Sequence, residues 1–397
     1  MRKAENEAFI VSAARSPIGR FGGGLSSLHP VVYGGRVLKE AIRRAGVEPL
    51  DIQEVIMGNV LSAGLGQAPA RQVSQDAGVP ESVGALTINK VCGSGLKAAM
   101  LGAQAIRAGD LDVVAAGGLE SMSRAPYLLE KARFGFKYMH SEVIDSMVRD
   151  GLWDVHTNLP MGITGEIVAE RFGITRADAD QFTFESHVKA AKAQENGWFE
   201  EEILPVRFLD DKGDEREVRL DEGVRKETTL AKLAALPPAF RMGGVVTAGN
   251  SSQISDGAAA LIIASGAAVK RLGLKPMAKV VGYTTAGVRS DLVMEAPLPA
   301  VRQLLTKIEW KIDDVDLFEH NEAFATASVA VRRELKVPED RFNVHGGAVA
   351  LGHPLGASGA RILTTLVHAM KRQKADTGLV TLCLGGGNAV AMALERV

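Results

Sequence analysis

Cysteine is nearly absent: the chain holds two, Cys92 and Cys383, in 397 residues. Thiols so far apart give no disulfide framework, and neither Cys-x-x-Cys nor His-Glu-x-x-His occurs to hold a metal. Such usage fits a reducing compartment, with the cytoplasm as the expectation. Neither sign of charge dominates, since 46 Lys and Arg face 47 Asp and Glu for a net −1. No global field therefore draws in nucleic acid or an acidic membrane, and neither is expected as a partner. The opening MRKAENEAFIVSAARSP carries no long apolar segment or cleavage site, and the closing ALERV is no peroxisomal address. Long uncharged runs are missing except Thr377 to Leu394. That run contains three consecutive glycines and reads as two buried strands joined by a turn, not a membrane helix. There is no GxxxxGK[ST], and no strand-linked GxGxxG followed by an acidic residue, so nucleotide phosphate loops are unsupported.

What the chain does have is a globular balance, 46% hydrophobic and 23% charged, at a length that implies two or three compact units. Glycine is in excess: there are 43, where about 7% of a chain is ordinary, and turn chemistry is the first explanation. Short β-rich segments, Phe9 to Ala14, Glu54 to Val60 and Asp112 to Gly118, alternate with amphipathic helices and predict an α/β layered fold. Between Ser121 and about Gly249 the pattern breaks, with a charge-dense stretch from Asp211 to Lys226, and this reads as an inserted, more exposed region. The α/β pattern returns at Ala259 to Ser265 and Ala278 to Thr284. A faint repeat is visible. From Cys92 the chain runs glycine turn, helix with a Leu96, Ala99, Met100, Ala103, Ile106 stripe, turn, and strand ending in glycines. From Gly356 the same order recurs, with Ile362, Leu363, Leu366, Val367 and Met370 as the stripe.

Four residues could carry chemistry. Cys92 precedes Gly93-Ser94-Gly95 and a helix, where the macrodipole and backbone N–H groups would stabilise a thiolate and lower its pKa. A buried structural cysteine is the alternative. Cys383 sits at a strand end just before Gly385-Gly386-Gly387, where open α/β sheets bind ligands, although alone it reads as core. His353, between Gly352 and Pro354, could serve as general base to a thiol or simply bond its own loop. Asn321 opens NEAFA at another strand end; its amide could position water or donate to an oxyanion, or cap a helix.

Taken in order, VCGSG at Cys92, TAGNSSQISDGAA at Thr247, NEAFA at Asn321, GGAVALGHPLGASGAR at Gly346 and CLGGG at Cys383 closely resemble the thiolase family over nearly the whole chain. The resemblance implies a duplicated α/β/α/β/α five-layered core with an inserted loop domain. It divides the chain into an N-terminal half, 1–120 plus 250–273, a CoA-binding loop domain, 121–249, and a C-terminal half, 274–397. It implies that Cys92 attacks an acyl-CoA thioester, that His353 takes the Cys92 proton, and that Cys383 acts as acid or base on the second substrate. Asn321 would hold a water beside His353 at the enolate oxygen. The backbone N–H groups of Cys92 and Gly385 would bind the other oxyanion.

For CoA the matching positions are Leu152, Met161, Arg225, Phe240, Ala248, Ser252, Ala323 and Phe324. Coenzyme A and acyl-CoA would be substrates or products, with no tightly bound cofactor and no metal, in a homodimer or homotetramer. Acetyl-CoA acetyltransferase is the first expectation and a broader 3-ketoacyl-CoA thiolase the second. Pro160-Met161-Gly162 looks like the broad-chain degradative type, whereas RDGLWD and LCLGGGNAVAMALE look like the acetoacetyl-forming branch. His187 and Lys232 stand where the family often has glutamine and serine around the nucleotide. A decarboxylating condensing enzyme would lack Cys383, and a non-catalytic acyl-CoA or lipid-binding protein of the same fold would tolerate loss of Cys92 or His353.

Overall fold

Alternating apolar residues form the strands β1 (Ala8–Arg15), β2 (Glu54–Gly58), β3 (Gly84–Ile88), β4 (Val113–Ser121), β5 (Ser255–Ser265), β6 (Ala278–Gly287), β7 (Leu317–His320), β8 (Thr377–Leu384) and β9 (Asn388–Arg396). The computed structural model describes residues 4–210 and 212–397. Met1 to Lys3 and Asp211, which belong to segments read above, lie outside the described residues. With the short strand Gly19–Arg20 on β5, these strands make one ten-stranded mixed sheet in the order β7-β8-β9-β6-β1-β5-β4-β2-β3. Pairing is parallel for β2 with β3 and β4, and for β7 with β8. The two halves meet at β1, where Phe9 and Ile10 pair with β5 on one side and with Lys279 and Ala278 of β6 on the other.

The main helices are α1 (Pro30–Ala45), α2 (Pro69–Asp76), α3 (Ser94–Ala108), α4 (Met161–Phe172), α5 (Arg176–Glu195), α6 (Pro297–Ile308), α7 (Ala325–Leu335) and α8 (Leu355–Gln373). Strand alternation sends successive side chains to opposite faces. On β4, Val113 and Ala115 pack with Val37 and Leu38 of α1 and Val73 of α2. Val114 and Ala116 instead join the stripes of α3 and α8. The same central cluster takes Leu382 of β8 and Met392 of β9, whose neighbours Cys383 and Ala393 face α6 and α7. The order of layers is therefore α/β/α/β/α. Every stripe residue named from the repeat lies in the central cluster, so the two repeated helices face one another.

This close approach uses glycine for a reason that turns do not explain. A Cβ on Gly118 would lie 2.0 Å from the Gly356 carbonyl oxygen, and one on Gly359 would lie 2.3 Å from the Leu96 nitrogen. Part of the glycine excess thus serves helix and strand packing at van der Waals limit, where any side chain would force backbone apart.

The 121–249 segment is only partly exposed. Val168 and Ala169 of α4 and Phe182 of α5 complete the outer core of the C-terminal half against α7. The charge-dense stretch also has a buried member: Asp221 accepts both Arg15 terminal nitrogens, at 2.7 and 2.9 Å, while Arg15 Nε donates to Glu202 at 2.7 Å. Burial without such pairing would cost several kcal/mol per charge, so this triad locks the segment to β1. Among the described residues, no helix is long and apolar enough to cross a membrane.

Candidate active site

Cys92 stands on a tight turn. Val91 before it is held at φ 47°, a left-handed value unfavourable for a β-branched residue. Ser94 secures the turn by donating to the Val91 carbonyl at 2.7 Å and accepting the Lys90 N–H at 2.8 Å. A Cβ on Gly93 would lie 2.2 Å from Leu384 Cδ2, so a side chain there would displace that leucine. The helix that follows was expected to lower the thiol's pKa. Instead burial pushes Cys92 up to about 11, with the N–H groups of Gly385 and of Cys92 itself opposing that rise. In the resting protein Cys92 is a thiol that needs a base.

His353 lines the same cavity as Cys92. Asn321 Nδ2 lies 3.4 Å from His353 Nε2, and an amide nitrogen only donates, so Nε2 is the acceptor and bears no proton. Its other nitrogen, Nδ1, is 2.6 Å from Ser358 Oγ, and the Ser358 proton goes to the Pro354 carbonyl at 2.8 Å. This chain fixes the tautomer. Burial, aided by the Arg361 charge, lowers His353 to about 3, so the ring is neutral at physiological pH.

Asn321 is no helix cap: its backbone N–H donates to Thr381, and its amide turns toward His353. Cys383 ends β8 fully buried, its sulfur 3.7 Å from Met294 Sδ. Burial first, then the neighbouring Cys92, push its thiol far above the usual range.

Cys92, His353, Cys383 and Gly385 line one cavity of about 50 Å³, with Met294 and Ala323. It adjoins a second of about 280 Å³, and both are bounded by Leu152, Met161, Ser252, Phe324, His353 and Leu355. Phe240 lines the larger one. Two positions carried over for CoA do not join them: Arg225 and Ala248 are exposed and line neither cavity. His187 is buried and accepts the Arg225 N–H at 3.2 Å, while Lys232 Nζ donates to the Glu227 carbonyl. Surface grooves of about 580 and 740 Å³ are larger, but are lined mostly by polar and charged side chains and contain neither thiol.

The arrangement pairs two thiols with a neutral histidine and two inward N–H groups, a set suited to acyl transfer through a cysteine thioester. Family models agree with it. "Thiolase, N-terminal domain" matches residues 8–267 and "Thiolase, C-terminal domain" matches residues 274–396. The chain belongs to the thiolase family. This thiolase is 50% identical over 390 residues to the acetyl-CoA acetyltransferase of Cupriavidus necator, covering 98% of this chain and 99% of that one. It is 47% identical to a probable acetyl-CoA acyltransferase of Staphylococcus aureus (strain COL), covering 98% of each. The crystal structure of the Bacillus anthracis acetyl-CoA acetyltransferase superposes with a TM-score of 0.97 at 41% identity, over 98% of this chain and 99% of that one.

Sequence reasoning missed several residues of the thiolase site. Glu120, at the end of β4, accepts the N–H groups of Val60, Leu61 and Gly356 at 3.1, 3.0 and 2.8 Å. It ties the loop after β2 to the start of α8, which carries the histidine loop. Burial raises it to about 7. Glu322 plays a like part, holding Ser186, Asn343 and the Val349 N–H. A carboxylate inside the apolar run DVVAAGGLES was the available signal for Glu120. Ser358 and Met294 had none, because each matters through a contact across the fold.

Proposed function

We propose that this thiolase is an acetyl-CoA C-acetyltransferase, joining two acetyl-CoA into acetoacetyl-CoA and free CoA and catalysing the reverse thiolysis. The observation that carries this reading is the small cavity holding both thiols. One water needs roughly 10–15 Å³ by the same measure, so about 50 Å³ suits the few heavy atoms of an acetyl group.

The proton balance follows from the three titrating groups. His353 Nε2 takes the Cys92 proton as the sulfur attacks the thioester carbonyl. CoA leaves with the Cys383 proton, so acetyl-Cys92, protonated His353 and a Cys383 thiolate remain. That thiolate, strongly basic because it is buried, removes a methyl proton from the second acetyl-CoA. Protonated His353 and an Asn321-held water stabilise the enolate oxygen. The enolate carbon attacks acetyl-Cys92, whose oxyanion meets the N–H groups of Cys92 and Gly385. Collapse expels the Cys92 sulfur, which recovers its proton from His353. Each such N–H donor is worth about 2.7–4 kcal/mol in the transition state.

The division into 1–120 plus 250–273, 121–249 and 274–397 belongs to the same reading. It is supported by Leu152, Met161 and Phe240 of the 121–249 segment lining the larger cavity, where the pantetheine arm would lie beside Ser252. Arg225, exposed, is left to meet a nucleotide phosphate, and Ala248 to the outer wall. Self-association into a homodimer or homotetramer is part of the proposal. Strand β3 ends the sheet with Leu86 43% exposed, and in the 121–249 segment the apolar residues Phe134, Tyr138 and Met139 are 85%, 90% and 70% exposed. Bare apolar surface of this kind marks contact sites. Sedimentation equilibrium is expected to give two or four times 42.1 kDa, and a monomer would refute it. The cytoplasm remains the proposed location.

A second reading, a degradative thiolase of broader range, is favoured by Pro160 and by the apolar lining of the larger cavity. Thiolysis of 3-ketoacyl-CoAs from acetoacetyl-CoA to longer chains decides between them. Activity confined to acetoacetyl-CoA is expected, while comparable kcat/KM on longer chains selects the second reading.

A further inference from the structure

A left-handed φ on any residue but glycine calls for a physical reason. Among the described residues, Glu309, Lys336 and Lys374 take such values where they end α6, α7 and α8, as helices ordinarily do. Asn158 and Asn343 are of a type that tolerates them. Val91, at φ 47°, is the β-branched member of the set, and it immediately precedes Cys92. Branching at Cβ makes valine the least suited of these residues to that backbone.

Three hydrogen bonds hold it there. The Val91 N–H donates to Asn89 Oδ1 at 2.9 Å, and its carbonyl accepts the Ser94 N–H at 3.1 Å and Ser94 Oγ at 2.7 Å. Strained backbone persists where its surroundings over-determine it, and such places cluster at functional sites. None of these bonds involves the valine side chain, so they would hold a glycine equally well and without strain. The reason for valine lies in what its side chain touches.

That neighbour is the glycine turn after β8. A Cβ on Gly385 would lie 3.2 Å from Val91 Cγ1 and 3.7 Å from Cγ2, so the isopropyl group of this half-buried valine lies against the bare Gly385 backbone. On the other side of Cys92, Gly93 meets Leu384 in the same way. The two turns are therefore fitted together around the thiol, residues 91 and 93 against 385 and 384. The far end of the glycine turn is tied separately, by the Val288 N–H donating to the Gly387 carbonyl at 2.7 Å. Gly385 lines the small cavity with Cys92 and turns its N–H toward that sulfur.

We infer that Val91 is a positioning residue for the oxyanion donors: its left-handed backbone sets the direction of the Cys92 N–H, and its isopropyl group, seated on Gly385, holds the Gly385 N–H to the same point. This rests on the proposed role of Cys92 as nucleophile. Such donors stabilise a transition state to the extent that their direction is fixed beforehand. A misplacement of about 1 Å costs on the order of 10²-fold in rate, and a glycine turn without the isopropyl wall behind it gains that freedom.

The test compares two reactions of one sulfur, both read by mass spectrometry of the Cys92 peptide. Acetyl-CoA acetylates Cys92 through an oxyanion. Methyl methanethiosulfonate, which has no carbonyl, transfers its methylthio group to the same thiolate without one. The ratio of the two rates therefore reports on the donors and cancels changes in the thiol and its base. Val91→Ala and Val91→Gly are expected to lower that ratio by roughly 10–100-fold. Val91→Thr, which keeps the branched shape, should keep the wild-type ratio.

A wild-type ratio in Val91→Ala or Val91→Gly overturns the inference, as does a ratio lowered equally in Val91→Thr. Two rates that fall together leave the ratio unmoved and overturn it as well, because that is loss of structure and not of aim. If Val91→Gly does not fold, Val91→Ala and Val91→Thr decide by the same criteria. A wild-type Cys92 that takes the methylthio group but no acetyl group would remove the nucleophile assignment and this inference with it. An acetyl adduct with an unmoved ratio removes the inference alone, which separates the two failures.

Discussion

Cys92→Ala is expected to lose turnover by roughly four to six orders of magnitude, the scale seen when a covalent nucleophile is removed, and to lose the acetyl adduct that acetyl-CoA alone leaves on the wild-type Cys92 peptide. Cys383→Ala should behave differently. The acetyl adduct still forms on Cys92, more slowly because CoA leaves without its proton, while condensation falls by about 10²–10⁴-fold for want of the base. The contrast follows from position: the Gly385 N–H is directed at Cys92, whereas Cys383 is buried against Met294 in the same small cavity. Intact turnover in Cys92→Ala, or an absent adduct in Cys383→Ala with normal folding, would refute this assignment of roles.

His353→Asn is expected to convert a flat pH dependence into a steep one. In the wild type the neutral imidazole, lowered to about 3, remains an acceptor across the neutral range. The rate then does not wait on free thiolate. Without it, only the spontaneously ionised fraction of Cys92 reacts. Burial raises that thiol to about 11, and below this value a thiol ionises tenfold more for each pH unit gained. Acetylation of Cys92 in the variant should therefore be about 10²–10⁴-fold slower near neutrality and climb with pH until it approaches the raised thiol value. A variant profile parallel to the wild type would mean that His353 does not take the proton.

Much of the site was readable because it is built from strings whose backbone role is local. A thiol before a glycine turn and helix, a histidine in a glycine-rich loop and a thiol before three glycines each announce a strand end or helix start. The layered core was legible for a similar reason, since the stripes on α3 and α8 have one periodicity and enter one cluster. Local reasoning misled where burial decided. The helix start at Cys92 suggested a lowered pKa, yet desolvation outweighs the inward N–H groups. Asn321 looked like a cap, but its amide has turned to His353.

By itself the sequence determined the alternation of elements, the faces they bury and the order of the reactive side chains, because periodicity and turn chemistry act over a few residues. Tertiary structure alone decided which of those side chains share a cavity, which tautomer Ser358 imposes on His353, and that glycines at 118, 356 and 359 serve packing and not turns. It also decided that Arg15 is buried and matched by Asp221 and Glu202. These outcomes depend on desolvation and on contacts between residues distant in the chain, and neither quantity exists until the layers close.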